Sequence, residues 1–307
     1  MKIVPPTEEN IAQAARFLRE GVLIGMPTET VYGIAAQADD PEAVQHVFRL
    51  KGRPADNPLI VHIAGLSQLR EVARVVTDAA KRLTERFWPG PLTVVLPKNP
   101  RIPHIVTAER DTVAVRVPAH PVALKLLRAA GPLSAPSANR FMSLSPTRAE
   151  DIDPELGDRL GMILDGGPCT VGVESTVVDC TGPFPRILRP GGIDRARIEA
   201  ALGAPLAAPP AGPRLSPGMY HRHYSPRTPL QIVDRLLPGQ AGITFEAPLD
   251  SSQVRLEQEP RRYATALYAA LHRLDADGHS RIYVQAPPQT PEWEAVWDRL
   301  LKASSDP

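Results

Sequence analysis

The sequence predicts an α/β protein, a mixed sheet with flanking helices followed by a smaller α/β unit. Three observations carry that expectation. Helical patterns alternate with short β-rich runs through the first 203 of 307 residues. The runs "LTVVLP" and "TVAVRVP" follow one another with no helical pattern between them, so neighbouring strands can be antiparallel. A stretch with seven prolines, residues 204–229, then separates residues 230–307 from the rest.

Taken in order, "TEENIAQAARFLREG" predicts a helix capped by Thr7 and stopped at Gly21, with Ile11, Ala14, Ala15 and Leu18 on one face. "GVLIGM" predicts a strand. "DDPEAVQHVFRLKG" predicts a second helix, with Asp40 as cap, Pro41 at its first position and Gly52 past its end. "NPLIVHIA" is the next strand, followed by one helix from Ser67 to Phe87 and the turn "WPGP". "HPVALKLLRAAG" is amphipathic and helical. "GMILDGG", "ESTVVDC" and "RILRPGG" are short strands, and "IDRARIEAALG" closes the unit as a helix. Beyond residue 229 the order is strand "LQIVD", strand "AGITFEA", helix "RRYATALYAALHRLDADG", strand "SRIYVQA" and helix "PEWEAVWDRLLKA". The prolines of 204–229 make that segment an extended linker of limited flexibility. Inside it, "MYHRHY" sets Tyr220, His221, Arg222, His223 and Tyr224 in a row, which a spacer does not need.

Composition narrows the function. Hydrophobic residues make up 43% and charged residues 22%, enough for a real core. The net charge of +1 argues against a broad basic surface for nucleic acid, so anion binding is expected to be local. Cys169 and Cys180 have no paired spacing and read as reduced structural thiols. The N-terminus "MKIVPPTEEN" lacks the apolar core of a signal peptide and no run approaches a membrane span, so a cytoplasmic protein without membrane contact is expected. There is no Walker-type loop, Gly-x-Ser-x-Gly, Cys-x-x-Cys or His-Glu-x-x-His, which argues against a built-in metal site or a serine hydrolase.

What remains is a set of cations and hydroxyls at the ends of elements. In "LKGRPADNP", Lys51 and Arg53 follow a helix, where they can complement the last carbonyls. Between Pro54 and Pro58, beside Asp56 and Asn57, the same pair suits the oxygens of a polyphosphate. "TVAVRVP" alternates strictly, with Val113, Val115 and Val117 on one face and Ala114 and Arg116 on the other. Arg116 is then either an exposed strand arginine or a cavity wall able to hold a carboxylate. "PLSAPSANR" offers Ser134, Ser137 and Asn139 among small residues, as a helix cap or as a close-fitting polar surface. "GVESTVVD" adds Glu174, Ser175 and Thr176, and "RILRPGG" adds Arg189. In "MPTETVYGIA", Thr28, Glu29, Thr30 and Tyr32 exceed what a turn requires and are expected to form one wall of a binding pocket.

"PTETVYG", "KGRPADNPLIVHI", "WPGPLTVVL", "TVAVRVPAHP", "APSAN", "DGG", "GVESTVVD" and "ILRPGG", in this order, resemble the YrdC-type threonylcarbamoyl-AMP synthases. "SPGMYHRHYSP" followed by a small α/β unit resembles the longer, two-domain form of that family. The resemblance implies a YrdC-like catalytic domain, residues 1–203, whose twisted mixed sheet surrounds a central cavity. It further implies a linker or lid, 204–229, and a Rossmann-like domain, 230–307. The implied reaction joins L-threonine, bicarbonate or CO2 and ATP, accompanied by Mg2+, into threonylcarbamoyl-AMP and pyrophosphate for modification of tRNA position 37.

By motif matching, Lys51, Arg53, Ser137 and Asn139 form the implied catalytic signature. Thr30, His62, Arg116, Ala135 and Ser175 would hold threonine. Lys51, Arg53, Asn57, Thr112, Ser137, Ser145 and Arg189 would hold ATP, and His221, His223 and Tyr224 would belong to the lid. A downstream threonylcarbamoyl-transferase complex is the implied recipient, and a weak tRNA contact is left open. Tyr220 stands where the family carries Lys or Arg, and the final domain is short, without the family's Gly-rich last stretch. Two other readings are a carbamoyl-AMP-forming carbamoyltransferase domain and a double-stranded RNA or tRNA-binding module.

Overall fold

The computed structural model describes residues 1–208 and 222–304. The chain opens with β1 (Ile3–Val4) and α1 (Glu8–Arg19). Thr7 caps α1 by accepting from the Asn10 amide, and Ile11, Ala14, Ala15 and Leu18 are its buried face. β2 (Ile24–Met26) pairs antiparallel with β3 (Gly33–Gln37), a strand of small residues that the hydrophobic pattern does not announce. α2 (Pro41–Lys51) is capped by Asp40 and ends at Gly52, whose φ of +62° suits a residue without Cβ. β4 (Ile60–His62) follows.

The single helix expected from Ser67 to Phe87 is instead a 3-10 turn, Leu66–Gln68, a short α3 (Leu69–Val72) and a separate α4 (Asp78–Phe87). Ala73 turns extended and bridges to Lys98, and the Arg74 amide donates to Pro97. Thr77 then starts α4 anew by accepting from the Ala80 amide. A cap inside the sequence, preceded by β-branched Val75 and Val76, outweighs the helical periodicity.

β5 (Leu92–Pro97), α5 (His104–Thr107), β6 (Thr112–Arg116), α6 (Pro121–Ala130) and β7 (Leu133–Ser134) come next. α7 (Pro154–Gly157), β8 (Met162–Leu164), β9 (Thr176–Asp179), β10 (Arg186–Arg189) and α8 (Arg195–Leu202) complete this part. The ten strands form one mixed sheet in the order β1-β8-β2-β3-β7-β4-β6-β5-β9-β10. β5 and β6 are antiparallel neighbours, as expected, while β4–β6 and β5–β9 are parallel. Val113, Val115 and Val117 pack with Leu69, Val72, Leu83 and Phe87 in the largest core. Each such side chain contributes roughly 1.5–3 kcal/mol on full burial. Ala114 lies on the other face with Ile60, Val95, Val177 and Leu188. Cys169 and Cys180 are free and buried, and burial pushes both thiols up to about 12.

The remaining strands are β11 (Leu230–Val233), β12 (Gly242–Thr244), β13 (Gln253–Arg255) and β14 (Ile282–Gln285). They form a wholly parallel sheet, β11-β14-β12-β13, accompanied by α9 (Pro260–Ala276) and α10 (Glu294–Ser304). Its core continues into the first part of the chain, because Val31, Leu144 and Val173 pack in the same cluster as Tyr224, Tyr263 and Leu267. At Gly172 (φ +74°) a Cβ would stand 2.5 Å from the Thr265 Cα, so α9 approaches this loop as closely as a glycine permits. Among the described residues no helix is long and apolar enough to cross a membrane.

Candidate active site

Strand ends and loops from distant parts of the chain enclose a hollow with about 50 Å³ of free space, room for a water molecule or two. Thr28 and Thr30 enter from the β2–β3 connection, Arg53 from the loop after α2, and His62 and Arg116 from the parallel pair β4–β6. Ala135 and Ser137 follow β7, Glu174 and Ser175 precede β9, and Arg189 ends β10. His223 and Tyr224 close the hollow.

Arg116 is 3% exposed and held on three sides. Its Nη1 donates to the Thr30 hydroxyl at 2.9 Å and its Nε to the Gly90 carbonyl at 3.2 Å. Its Nη2 lies 2.7 Å from Glu29 Oε1, an ion pair without hydrogen-bond alignment. A guanidinium this deep needs a countercharge, and Glu29 supplies it. The expected wall is therefore divided. Thr28 closes the turn, donating to Val31 O at 2.6 Å and accepting from the Thr30 and Val31 amides. Thr30 faces the hollow, whereas Glu29 does not line it. Tyr32 leaves the wall altogether, because its hydroxyl bonds the Gly166 amide and the Gly167 carbonyl. This corrects the expectation for Glu29 and Tyr32. Their direction is set by partners about 90 and 130 residues away, which local pattern does not reveal.

Lys51 and Asn139 sit one layer behind the lining. The Lys51 ammonium donates to Ser137 O at 2.5 Å, to Asn139 O, and to Asn139 Oδ1 at 3.3 Å. Burial, then the neighbouring Arg53 charge, pulls its pKa well below the ordinary value. Three oxygen acceptors nevertheless match the three N–H bonds of the charged form. Arg53 lines the hollow and is fixed by Asn57 O at 3.0 Å, Asn57 Oδ1 at 2.5 Å and Pro58 O at 2.7 Å. Asn57 thus orients Arg53 and is not itself in the lining. Arg189 donates to Ser175 O at 2.9 Å and Ser175 Oγ at 3.1 Å, and Ser175 Oγ also meets Thr93 Oγ1 at 2.7 Å. Ser145 is fully buried and donates to Glu174 at 2.6 Å, outside the lining. Thr112 is half-buried, on the Arg116 face of β6 by alternation but beyond Ala114 and outside the enclosed space. His221 and Tyr220 lie outside the described residues.

Burial pushes the His62 imidazole down to about 3, with the Arg116 charge acting in the same direction. Burial likewise takes His223 well below its ordinary value; Glu174 opposes the shift, while Arg53, Lys51 and Arg299 reinforce it. Both rings are neutral in the fold, and unfolded histidine takes up a proton near pH 6.5. Because the folded pKa is the depressed one, this stability is full above the unfolded value of about 6.5 and is lost as pH falls below 6.5, toward about 3 for His62. The expected loss is up to about 1.4 kcal/mol per pH unit for each ring. Thermal unfolding between pH 8 and 5 checks this; a melting temperature that stays flat or rises on acidification contradicts it.

Among the described residues, His62 Nδ1, His223 Nδ1 and the Tyr224 hydroxyl are buried without a hydrogen-bond partner. Unfilled polar atoms beside Arg53, Arg116 and Arg189 suit a polar, anionic ligand. Arg299 and Tyr268, which the sequence reading missed, stand behind this wall on Glu174. One signal was present. Val296, Arg299, Leu300 and Ala303 share one helical stripe, and a charge on such a stripe must find a partner.

Fold and site together define an α/β protein in which fixed cations from separate segments line one hollow suited to small anionic ligands. Residues 16–191 match the Sua5/YciO/YrdC family profile, described as "Telomere recombination". Residues 193–305 match the profile described as "Threonylcarbamoyl-AMP synthase, C-terminal domain". The chain is 40% identical to the threonylcarbamoyl-AMP synthase of Bacillus subtilis (strain 168) over 97% of its own length and 93% of that protein's. It is 39% identical to that of Pyrococcus abyssi (strain GE5 / Orsay), over 97% and 94%. The crystal structure of P. abyssi Sua5 complexed with L-threonine superposes with a TM-score of 0.89 at 38% identity, covering 99% of this chain and 96% of that one. The chain belongs to the Sua5/YrdC family of threonylcarbamoyl-AMP synthases and carries that family's C-terminal domain.

Proposed function

We infer that this chain forms threonylcarbamoyl-AMP from L-threonine, bicarbonate or CO2 and ATP, releasing pyrophosphate, for threonylcarbamoyladenosine at tRNA position 37. One observation carries the reading. Arg53, Arg116 and Arg189, from three separate segments, line one buried hollow in a chain related to threonylcarbamoyl-AMP synthases along almost its whole length.

In this reading residues 1–203 are catalytic, 204–229 are the lid, and 230–307 hold the lid in place. Threonine's carboxylate meets Arg116 and Thr30, with His62, Ala135 and Ser175 around its side chain and amine. The amine takes up CO2 as a carbamate. One carbamate oxygen attacks the α-phosphorus of ATP, and the bond to the β-phosphate oxygen breaks to release pyrophosphate. No side-chain nucleophile is needed; positioning and charge stabilisation do the work. Arg53, Lys51 and Arg189 supply positive charge to the phosphates, and Ser137 supplies a hydroxyl. Asn57 and Ser145 act by holding Arg53 and Glu174, and Thr112 and Asn139 border the nucleotide end.

In this reading magnesium enters with the substrate, as MgATP. His223 and Tyr224, which line the hollow, in this reading move aside for nucleotide entry and return against water. Cytoplasmic location, transfer to a downstream threonylcarbamoyl-transferase complex and a weak tRNA contact complete the proposal. Pyrophosphate release from ATP and bicarbonate, with and without L-threonine, tests it. Release that requires threonine and yields threonylcarbamoyl-AMP by mass is expected. Threonine-independent release points to the carbamoyltransferase reading, and no release with tight duplex RNA binding points to the RNA module.

A further inference from the structure

We propose that Arg299, from the last helix of the chain, is a positioning residue for this reaction. It fixes the lid residue Tyr224 from behind, through a pairing with Glu174. The inference rests on the synthase reading and adds a named task for the C-terminal domain.

Arg299 is 1% exposed and reaches out of α10 toward the catalytic wall. Its Nε donates to Glu174 Oε2 at 2.7 Å and its Nη2 to Pro190 O at 3.0 Å. Its Nη1 meets Asp298, which also holds Lys302. The flat guanidinium lies 4.7 Å from the centre of the Tyr224 ring. Glu174 is clasped from other sides by the hydroxyls of Ser145, at 2.6 Å, and Tyr268, at 3.2 Å. Tyr224 therefore rests between Arg299, Tyr268 and the His223 ring, whose centre is 4.0 Å away. The same helix holds the lid backbone, because the His223 amide donates to Lys302 O at 3.2 Å.

Two facts separate this from ordinary packing. Tyr224 has φ +59°, a conformation that non-glycine side chains seldom adopt, so its contacts must offset strain. A buried Arg–Glu pair also brings little stability over apolar residues of equal size, and Val296 and Leu300 show that such residues suit the stripe. Glu174 lines the hollow and Arg299 does not. When Tyr224 swings out to admit ATP, the pair of Arg299 and Glu174 stays and defines the seat to which the ring returns. Loss of the seat lets water reach the mixed anhydride.

The test uses the full chain with Arg299→Met, Arg299→Lys and, as a control for destabilised helix packing, Leu300→Ala, whose side chain is fully buried on α10. Amide exchange of residues 222–225, threonine KM, kcat and threonylcarbamoyl-AMP recovered per pyrophosphate are measured. In Arg299→Met, lid exchange rises roughly tenfold and recovery and kcat fall by a similar factor, the worth of one desolvated cation–π contact. Threonine KM changes less than about twofold, because Arg116 and its partners are not touched. Arg299→Lys keeps the charge on Glu174, loses the planar face, and falls between wild type and Arg299→Met. Leu300→Ala lowers the melting temperature without changing lid exchange or recovery.

The proposal is overturned if Arg299→Met melts earlier but keeps wild-type lid exchange and recovery. Should Arg299→Met prove insoluble, wild-type exchange and recovery in Arg299→Lys overturn it equally. If the wild type makes no threonylcarbamoyl-AMP, the functional reading falls, and lid exchange still decides the seat.

Discussion

Arg116→Met is expected to lower kcat/KM for L-threonine by about a hundredfold or more, the usual cost of truncating a buried, hydrogen-bonded charge. The mutation removes the guanidinium that Thr30 and Glu29 hold against the hollow, and methionine offers no donor to a carboxylate. It also leaves Glu29 buried without its countercharge, which destabilises a fold by roughly 3–5 kcal/mol. The two losses separate in Arg116→Met/Glu29→Gln. The double variant recovers most of the melting temperature because the stranded charge is gone, yet it still fails to bind threonine. Calorimetric titration with L-threonine beside thermal unfolding reads both quantities. Near-wild-type threonine affinity in either variant places the amino acid elsewhere.

Lys51→Met is expected to lower kcat by about a hundred- to a thousandfold with threonine affinity changed only a few-fold, the scale of losing one preorganised donor. The ammonium ties Ser137 O, Asn139 O and Asn139 Oδ1 together, and Asn139 Nδ2 extends the brace to Ser143 O at 2.6 Å. Without it three oxygens, two of them buried, lose their donor, and the "APSAN" loop no longer holds Ser137 at the hollow. Steady-state kinetics against ATP, together with threonine titration, distinguish this from general unfolding. An unchanged kcat contradicts the role given to Lys51.

Much of this was legible in the sequence, for physical reasons that differ by residue. Thr7, Asp40, Pro41 and Gly52 mark helix ends through local backbone hydrogen bonding, so their positions read directly. The alternation of Val113, Val115 and Val117 against Ala114 and Arg116 gave the faces of β6 before any partner strand was known. Strands β1, β3, β7 and β13 were not legible. They are short or made of small residues, and pairing with neighbouring strands, rather than their own hydrophobic pattern, makes them strands.

At the site, the arginines and hydroxyls could be named, but not the direction in which each points. Glu29 and Tyr32 share one turn with Thr30, and long-range partners send them apart. Arg299 was hidden in a stripe that reads as ordinary core.

Amino acid and nucleotide are expected to share one site reached under a single lid. Equilibrium titration of L-threonine, alone and with a non-hydrolysable ATP analogue, tests it most directly in wild type and Arg116→Met. One threonine per chain is expected, bound more tightly once the analogue is present, with no threonine bound by Arg116→Met. Threonine that binds wild type and Arg116→Met equally well, indifferent to the analogue, would contradict it.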